Sequence, residues 1–373
     1  MMSKKSFDKV FLGIVSVILI VGIFSFVSAS LGVLAKSEAK FYGILFNQVL
    51  LGLTGGSIAL FLVYKIDYRF WRKHAFYLFL GSILLTLLVF VPKLGFSHGG
   101  ATRWVALGPV TFQPVEFLKI GFVIYFAAWL SWTKGKVEDF KFGILPLIIL
   151  LAIIAGLLFK QPDTKSFILI MIAGLAMLLV SGVPWKYIFG MAAIGVVALG
   201  GLVLTKPYLL DRVHTFLDPS RDPSGSSYQL QQSLIAIGSG QTFGRGFGQS
   251  IQKFSYLPEP QGDSIFAVIG EEFGFFGSTL LILLYIAFML RGMRIANTAT
   301  DSFGRLVVTG LITLFIAQSF LHIASNIGLF PLTGVPLVFV SQGGTSLLVA
   351  LASLGIILNV SKREKAPVGQ SKK

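Results

Sequence analysis

The sequence contains no cysteine in 373 residues. Disulfides, thiolate nucleophiles and cysteine-held metals are therefore excluded. Charge is also scarce: Asp, Glu, Lys and Arg make up 13% of the chain, about half the share usual in a soluble domain. Acids are the scarcer sign, with 16 Asp and Glu against 31 Lys and Arg, for a net charge of +15. The four histidines, His74, His98, His214 and His322, are scattered without metal-ligand spacing. Ser233 and Ser341 have no His and acid paired nearby, which argues against a serine hydrolase. GRGFG (Gly244 to Gly248) has no following GK[ST] and no preceding strand, so it reads as a flexible turn and not a phosphate loop. Internal repeats, low-complexity tracts and a separate soluble domain are absent as well.

What is present is apolar. Hydrophobic residues form 54% of the chain, and the mean hydropathy is +0.81. Runs of about 20 apolar residues recur, each long enough to cross about 30 Å of hydrocarbon. They lack the alternation of a membrane β-barrel. The sequence thus predicts an all-α integral membrane protein, a polytopic bundle of about ten helices. The spans fall at 10–34, 44–64, 75–91, 115–131, 142–159, 167–183, 188–205, 264–290, 303–325 and 336–359. The first has no clear cleavage site and reads as a retained anchor. The break at Pro184-Trp185-Lys186-Tyr187 decides between nine and ten spans. Residues 1–361 read as one membrane domain with a long outer loop at about 206–263, and 362–373 as a short cytoplasmic tail.

The basic residues orient the bundle. Lys65, Arg69, Arg72, Lys73, Lys134, Lys136, Lys141, Arg291 and Arg294 lie on one set of loops. The opposite short loops hold only Lys36, Lys40, Lys93, Arg103, Lys160 and Lys165. The positive-inside rule puts both termini in the cytoplasm. The excess charge suits lipid and topology, so no nucleic-acid partner is expected.

The stretch YLPEPQGDSIFAVIGEE (Tyr256 to Glu272) holds four of the 16 acids: Glu259, Asp263, Glu271 and Glu272. Asp263 stands where an outer loop becomes a helix, either as a helix cap or as a reactive carboxylate. Glu271 and Glu272 lie about 12–13 Å farther along a straight helix. They either face a cavity or clamp helices through ion pairs. In GATRWVALGPVTFQPVEFLK (Gly100 to Lys119), Pro114 suits a first helical turn, and Glu116 and Lys119 share a helix face. That pair is either a salt bridge or, with Arg103, a cluster for an anionic headgroup. KQPDTKS (Lys160 to Ser166) places Asp163 between two lysines, in a solvated loop or at the same outer site. YQLQQSLIAIGSG reads as a short interfacial helix. GLFPLTGVPLVFVSQGGTSL (Gly328 to Leu347) reads as a broken or re-entrant helix.

Together these stretches, with FLDPSRDPSGSSYQLQQSLIAIGSG and QKFSYLPEPQGDSIFAVIGEEFGFFG, resemble the SEDS (shape, elongation, division and sporulation) family of bacterial membrane glycosyltransferases. DPSGSSYQ and YLPE lean toward its division-type (FtsW) branch over its elongation-type (RodA) branch. The resemblance implies a ten-helix peptidoglycan glycosyltransferase of the bacterial cytoplasmic membrane. It would polymerise lipid II into glycan strands at the outer face, in division or cell-shape growth. It also implies that Asp263 is the essential acid of the LPE-x-x-x-D motif and that Arg103, Glu116, Lys119, Asp163 and Glu259 belong to the substrate site. Implied partners are lipid II, the growing glycan lipid, a class B penicillin-binding protein (a transpeptidase) and membrane proteins of the divisome or elongasome. A divalent cation, Mg or Mn, is the one cofactor expected. The chain departs from the family's usual residues at Gln261-Gly262 (His-Thr), at Thr164-Lys165-Ser166 (Leu-Gly-Thr) and at Gln342 (Tyr).

The chemistry fits these residues. A sugar hydroxyl is a poor nucleophile, and a placed carboxylate such as Asp263 takes its proton as the new bond forms. Arg103 and Lys119, with the cation, would stabilise the leaving diphosphate. The rival reading is a lipid-precursor flippase or ion-coupled carrier, which also uses intramembrane acids and broken helices. A carrier needs its acid near the midplane, whereas Asp263 falls at the outer rim.

Overall fold

The computed structural model describes residues 7–98, 101–107, 110–218 and 227–362. Lys4, Lys5, the PSRDPSGS part of the long loop and the tail from Arg363 lie outside the described residues.

The chain's few aspartates stand largely at helix starts, where a carboxylate satisfies backbone N–H groups that have no partner within the helix. Asp8 caps α1 (Lys9–Leu34), Asp67 caps α4 (Tyr68–Lys73) and Asp139 caps α7 (Phe140–Leu158). The second traverse is continuous from Glu38 to Lys65. It comprises α2 (Glu38–Phe46), a π-helical stretch (Asn47–Gly55) and α3 (Gly56–Lys65). α5 (Ala75–Leu87) ends in a 3-10 turn and leads into a three-stranded antiparallel sheet, β1 (Gly95–His98), β2 (Ala101–Leu107) and β3 (Val110–Phe112). α6 (Pro114–Trp132) opens on a proline, whose missing N–H costs nothing there. α8 (Thr164–Ser181) is capped by Asp163 and ends at Gly182 in the left-handed conformation, φ +97°. Pro184 then starts α9 (Trp185–Thr205), so the break is a true loop. The long loop carries α10 (Pro207–Leu217), α11 (Tyr228–Ser239) and α12 (Gln252–Ser255). α13 (Ile265–Thr298), α14 (Ser302–Asn326) and α15 (Gly344–Ser361) complete the chain.

Among the described residues nine helices are long and apolar enough to cross a membrane. The shorter helix Ala75–Phe90 runs from the end bearing Tyr68 to the end bearing the sheet, packed on α6, and makes the tenth traverse. The last traverse starts later than the sequence predicts, at Gly344 and not near residue 336. Residues 331–343 are irregular instead, because Pro331, Gly334 and Pro336 break the helical pattern. The sheet is a second departure: the sequence reads its segment as a plain outer loop.

The ends of the bundle differ. At one end Asp8 pairs with Arg291 (2.8 Å), Tyr68 N–H donates to Asn359 (3.0 Å), and the Tyr68 hydroxyl donates to Asp301 (2.8 Å). Burial pushes that hydroxyl above its ordinary pKa. The other end carries the sheet, the long loop and the irregular segment 331–343. α14 and α15 form the centre, with 72% and 78% of their apolar windows buried, whereas α9 has 6% buried and lies at the rim.

Candidate functional site

Several separate segments meet at the sheet-bearing end around a cavity of about 360 Å³. Asp263 and Glu259 enter it from the loop before α13, Arg103 from β2, and Lys165 from the first turn of α8. Gly334 and Pro336 of the irregular segment form a wall, and Gly343 and Gly344 at the start of α15 form another side.

The backbone around Asp263 is fixed from several directions. Gln342 N–H donates to the Gln261 carbonyl (2.8 Å), Ser341 Oγ to the Gly262 carbonyl (2.9 Å), and Asn326 Nδ2 to the Asp263 carbonyl (2.9 Å). Glu259 lies in the left-handed region at φ +43°, and its carbonyl accepts from Gly262 and Ser264. Among the described residues, nothing donates to the Asp263 side-chain carboxylate. It is therefore held in place with its lone pairs open to the cavity.

Arg103 is placed by a fault in the sheet. Phe96 pairs with Trp104 and Ser97 with Thr102, so Arg103 is the extra residue of a bulge. Bulges re-aim side chains. Here the guanidinium donates to the Gln161 carbonyl (3.2 Å) and to the Pro162 carbonyl, tying the sheet to the QPD loop.

The other sequence-predicted residues lie elsewhere. Glu116 and Lys119 form a buried ion pair at 2.9 Å, and Lys119 also donates to Gln318 (2.8 Å). They line an adjoining cavity of about 10 Å³, too small for a headgroup. Gln318 Nε2 donates to the Pro336 carbonyl (3.0 Å), so this pair braces the wall of the main cavity from behind. Asp163 is fully buried and not solvated; its carboxylate accepts from Ser166 N–H (3.4 Å) and Ser166 Oγ (2.8 Å).

Glu271 and Glu272 take the clamping role. Glu272 pairs with fully buried Lys253 (2.7 Å) and accepts from Ser28 Oγ of α1 (2.6 Å). Glu271 accepts from Ser250 Oγ (2.5 Å) and the backbone of Ile251 (3.0 Å), with Arg245 at 3.4 Å. The helix is not straight beyond them, since Gly274 is non-helical (φ 65°, ψ −160°). Phe275–Thr298 alone is long enough to cross about 30 Å. The carboxylates therefore hold a kink and do not line the cavity.

Residues the sequence reading passed over also converge. Arg212 donates to the Thr333 carbonyl (3.4 Å) and His322 Nδ1 lies 2.7 Å from the Val335 carbonyl. Lys165 donates to the Gly334 carbonyl. These contacts satisfy an irregular backbone that has no helix of its own. The one available signal was the Pro- and Gly-rich run itself, whose carbonyls need donors.

A resident divalent ion does not fit this donor set. Among the described residues no group of three or more His, Asp or Glu is placed to hold a metal. Divalent ions want several oxygen ligands, whereas the cavity sets Asp263 and Glu259 beside the cations of Arg103 and Lys165.

Over residues 8–366 the sequence matches the FtsW, RodA and SpoVE family, described as "Cell cycle protein". It is 36% identical over 359 residues to the "Probable peptidoglycan glycosyltransferase FtsW" of Geobacter sp. (strain M18), covering 96% of this chain and 98% of that one. It is 38% identical over 307 residues to "Stage V sporulation protein E" of Bacillus subtilis (strain 168), covering 82% and 84%. Its fold matches a chain from a study of the "structural coordination of polymerization and crosslinking by a peptidoglycan synthase complex", with TM-score 0.76, 29% identity and coverage of 95% and 97%. It also matches the crystal structure of the rod shape determining protein RodA of Thermus thermophilus, with TM-score 0.70, 25% identity and coverage of 96% and 98%. The sequence match takes in every traverse of the bundle, from Lys9 to Ser361: the chain belongs to the FtsW/RodA/SpoVE family.

Proposed function

We propose that this chain is a peptidoglycan glycosyltransferase that polymerises lipid II at the outer face of the bacterial cytoplasmic membrane. The observation that carries the reading is the Asp263 carboxylate, held at one end of the bundle in a cavity with Arg103 and, among the described residues, with no donor of its own. Every other acid singled out from the sequence has a partner: Glu116 has Lys119, Asp163 has Ser166, Glu259 has Gln261, and Glu271 and Glu272 have the 245–253 loop.

Asp263 accepts the proton of the C4 hydroxyl of a lipid II sugar as that oxygen attacks the anomeric carbon of the lipid-linked glycan. The bond from that carbon to the diphosphate oxygen breaks, and the diphosphate leaves with the electron pair. The Arg103 guanidinium faces the developing charge. Glu116 and Lys119 act from behind, through Gln318 and Pro336, as positioning residues. The cavity end faces outward and both termini lie in the cytoplasm, a reading supported by the basic loops at the opposite end. The partner is a class B transpeptidase, as the fold match to a chain of a synthase complex suggests. The DPSGSSYQ and YLPE stretches favour a role in division.

The test is polymerisation of labelled lipid II by the purified full chain with its transpeptidase. Wild type is expected to make polymer, and Asp263→Ala to lose at least about a hundredfold in rate. Full polymerisation by Asp263→Ala would overturn the base assignment. A wild type that carries lipid II across vesicles without making polymer would overturn the enzyme.

A further inference from the structure

The cavity holds a fixed cation where the sequence reading calls for a metal ion. Lys165 follows the capping Asp163 by two residues, so the first turn of α8 aims it at the irregular wall. Its ammonium donates to the Gly334 carbonyl. A β carbon built on Gly334 would sit 2.8 Å from Asp263 Oδ2 and 3.6 Å from Lys165 Nζ. Ammonium and carboxylate thus flank one glycine and share one cavity. The charged groups that line the cavity with Lys165 are Asp263 and Glu259 on the negative side and Arg103 on the positive side. Among the described residues this is the one hydrogen bond of the ammonium, which leaves two protons to donate.

Two further features of the cavity suit an anion. Arg103 lines the same cavity, and Gly343 and Gly344 bring in the N-terminal end of the 18-residue α15, which carries partial positive charge. The metal-ligand set is poor and the cation set is good. Lys165 also stands at one of the positions where this chain departs from its family's usual residues.

We propose that Lys165, together with Arg103, binds the diphosphate of the lipid-linked substrate and supplies the countercharge a divalent ion would bring, so that this chain polymerises without a metal. The inference rests on the function proposed above. In the transfer step, the bond from the anomeric carbon to the diphosphate oxygen breaks and its electron pair goes to that oxygen. Lys165 stays protonated and donates a hydrogen bond to it. The acceptor's proton goes to Asp263, and no further reactant is needed.

The experiment compares polymerisation rates of the full chain with its transpeptidase in EDTA and in millimolar Mg or Mn. Wild type and Lys165→Arg are expected to keep most of their rate in EDTA. Lys165→Ala is expected to lose about a hundredfold in EDTA and to regain a large part of it when metal is added, which also shows that it folds. A wild type silenced by EDTA, or a Lys165→Ala protein unaffected by EDTA, overturns the inference. The second measurement is binding of undecaprenyl diphosphate in EDTA, which needs no turnover. Lys165→Ala is expected to bind about tenfold more weakly than wild type, and equal affinity overturns the inference. If wild type makes no polymer in any condition, the proposed function fails, and the binding comparison alone decides the role of Lys165.

Discussion

Asp263 and Glu272 lie nine residues apart in one stretch of chain, yet one is open and the other is locked to a lysine. The difference comes from what surrounds each. Gly334 is the residue that leaves Asp263 its room. It sits at φ +62°, and any side chain there would meet the Asp263 carboxylate. Gly334→Ala is expected to slow polymerisation by about a hundredfold, as a misplacement near 1 Å does, while lipid-diphosphate binding changes little. Rates and binding measured on the same preparation check this, and a wild-type rate would show that the carboxylate tolerates displacement. At this scale the sequence was informative where a motif is continuous. Asp263, Glu259 and Arg103 were read from their own short stretches and share the cavity. Lys165 was not, because its partner carbonyl is 169 residues away. For Lys119 the sequence leaves open a salt bridge or a headgroup contact, because i,i+3 spacing says that it shares a face with Glu116 but not which neighbour that face meets.

The kink at Gly274 shows how one element is completed by another. The backbone groups freed there bond to the loop: Arg245 and Gly246 donate to the carbonyls of Glu271 and Glu272 (3.0 Å each), and Phe275 donates to Gln241 (2.8 Å). A β carbon on Gly244 would lie 2.1 Å from the Glu272 carbonyl oxygen, so this approach needs glycine. GRGFG is thus not a loose turn but the strap across a bent helix. Lys253→Ala would leave the Glu272 carboxylate buried without a cation and is expected to cost roughly 3–5 kcal/mol. Thermal unfolding in detergent checks it, and an unchanged midpoint would mean that the strap contributes no stability. Replacing the pair together, Lys253→Met with Glu272→Leu, is expected to recover most of the loss, since neither charge is then stranded. The glycines of the strap were visible in the sequence, but their target was not.

At the scale of the molecule, the traverses differ in what they touch. Leu311 in α14 is fully buried and Leu204 in α9 is 78% exposed. Leu311→Ala is expected to cost roughly 1–3 kcal/mol, less than in a water-soluble core, because lipid tails are as apolar as leucine. Leu204→Ala is expected to stay within about 0.5 kcal/mol. Unfolding of both variants in the same bilayer mimetic checks the contrast, and equal losses would place α9 in the core. The number and order of traverses came from the sequence alone, because crossing a bilayer demands a local apolar run that composition reveals. Asp263 was also found there, by its motif. Which helices form the centre, which acids clamp and which stays open, and that Lys165 reaches the cavity were decided only by tertiary structure. A span has the same apolar signature whether it faces lipid or another helix. A buried polar group is explained only by the partner that satisfies it, and that partner comes from a distant part of the chain.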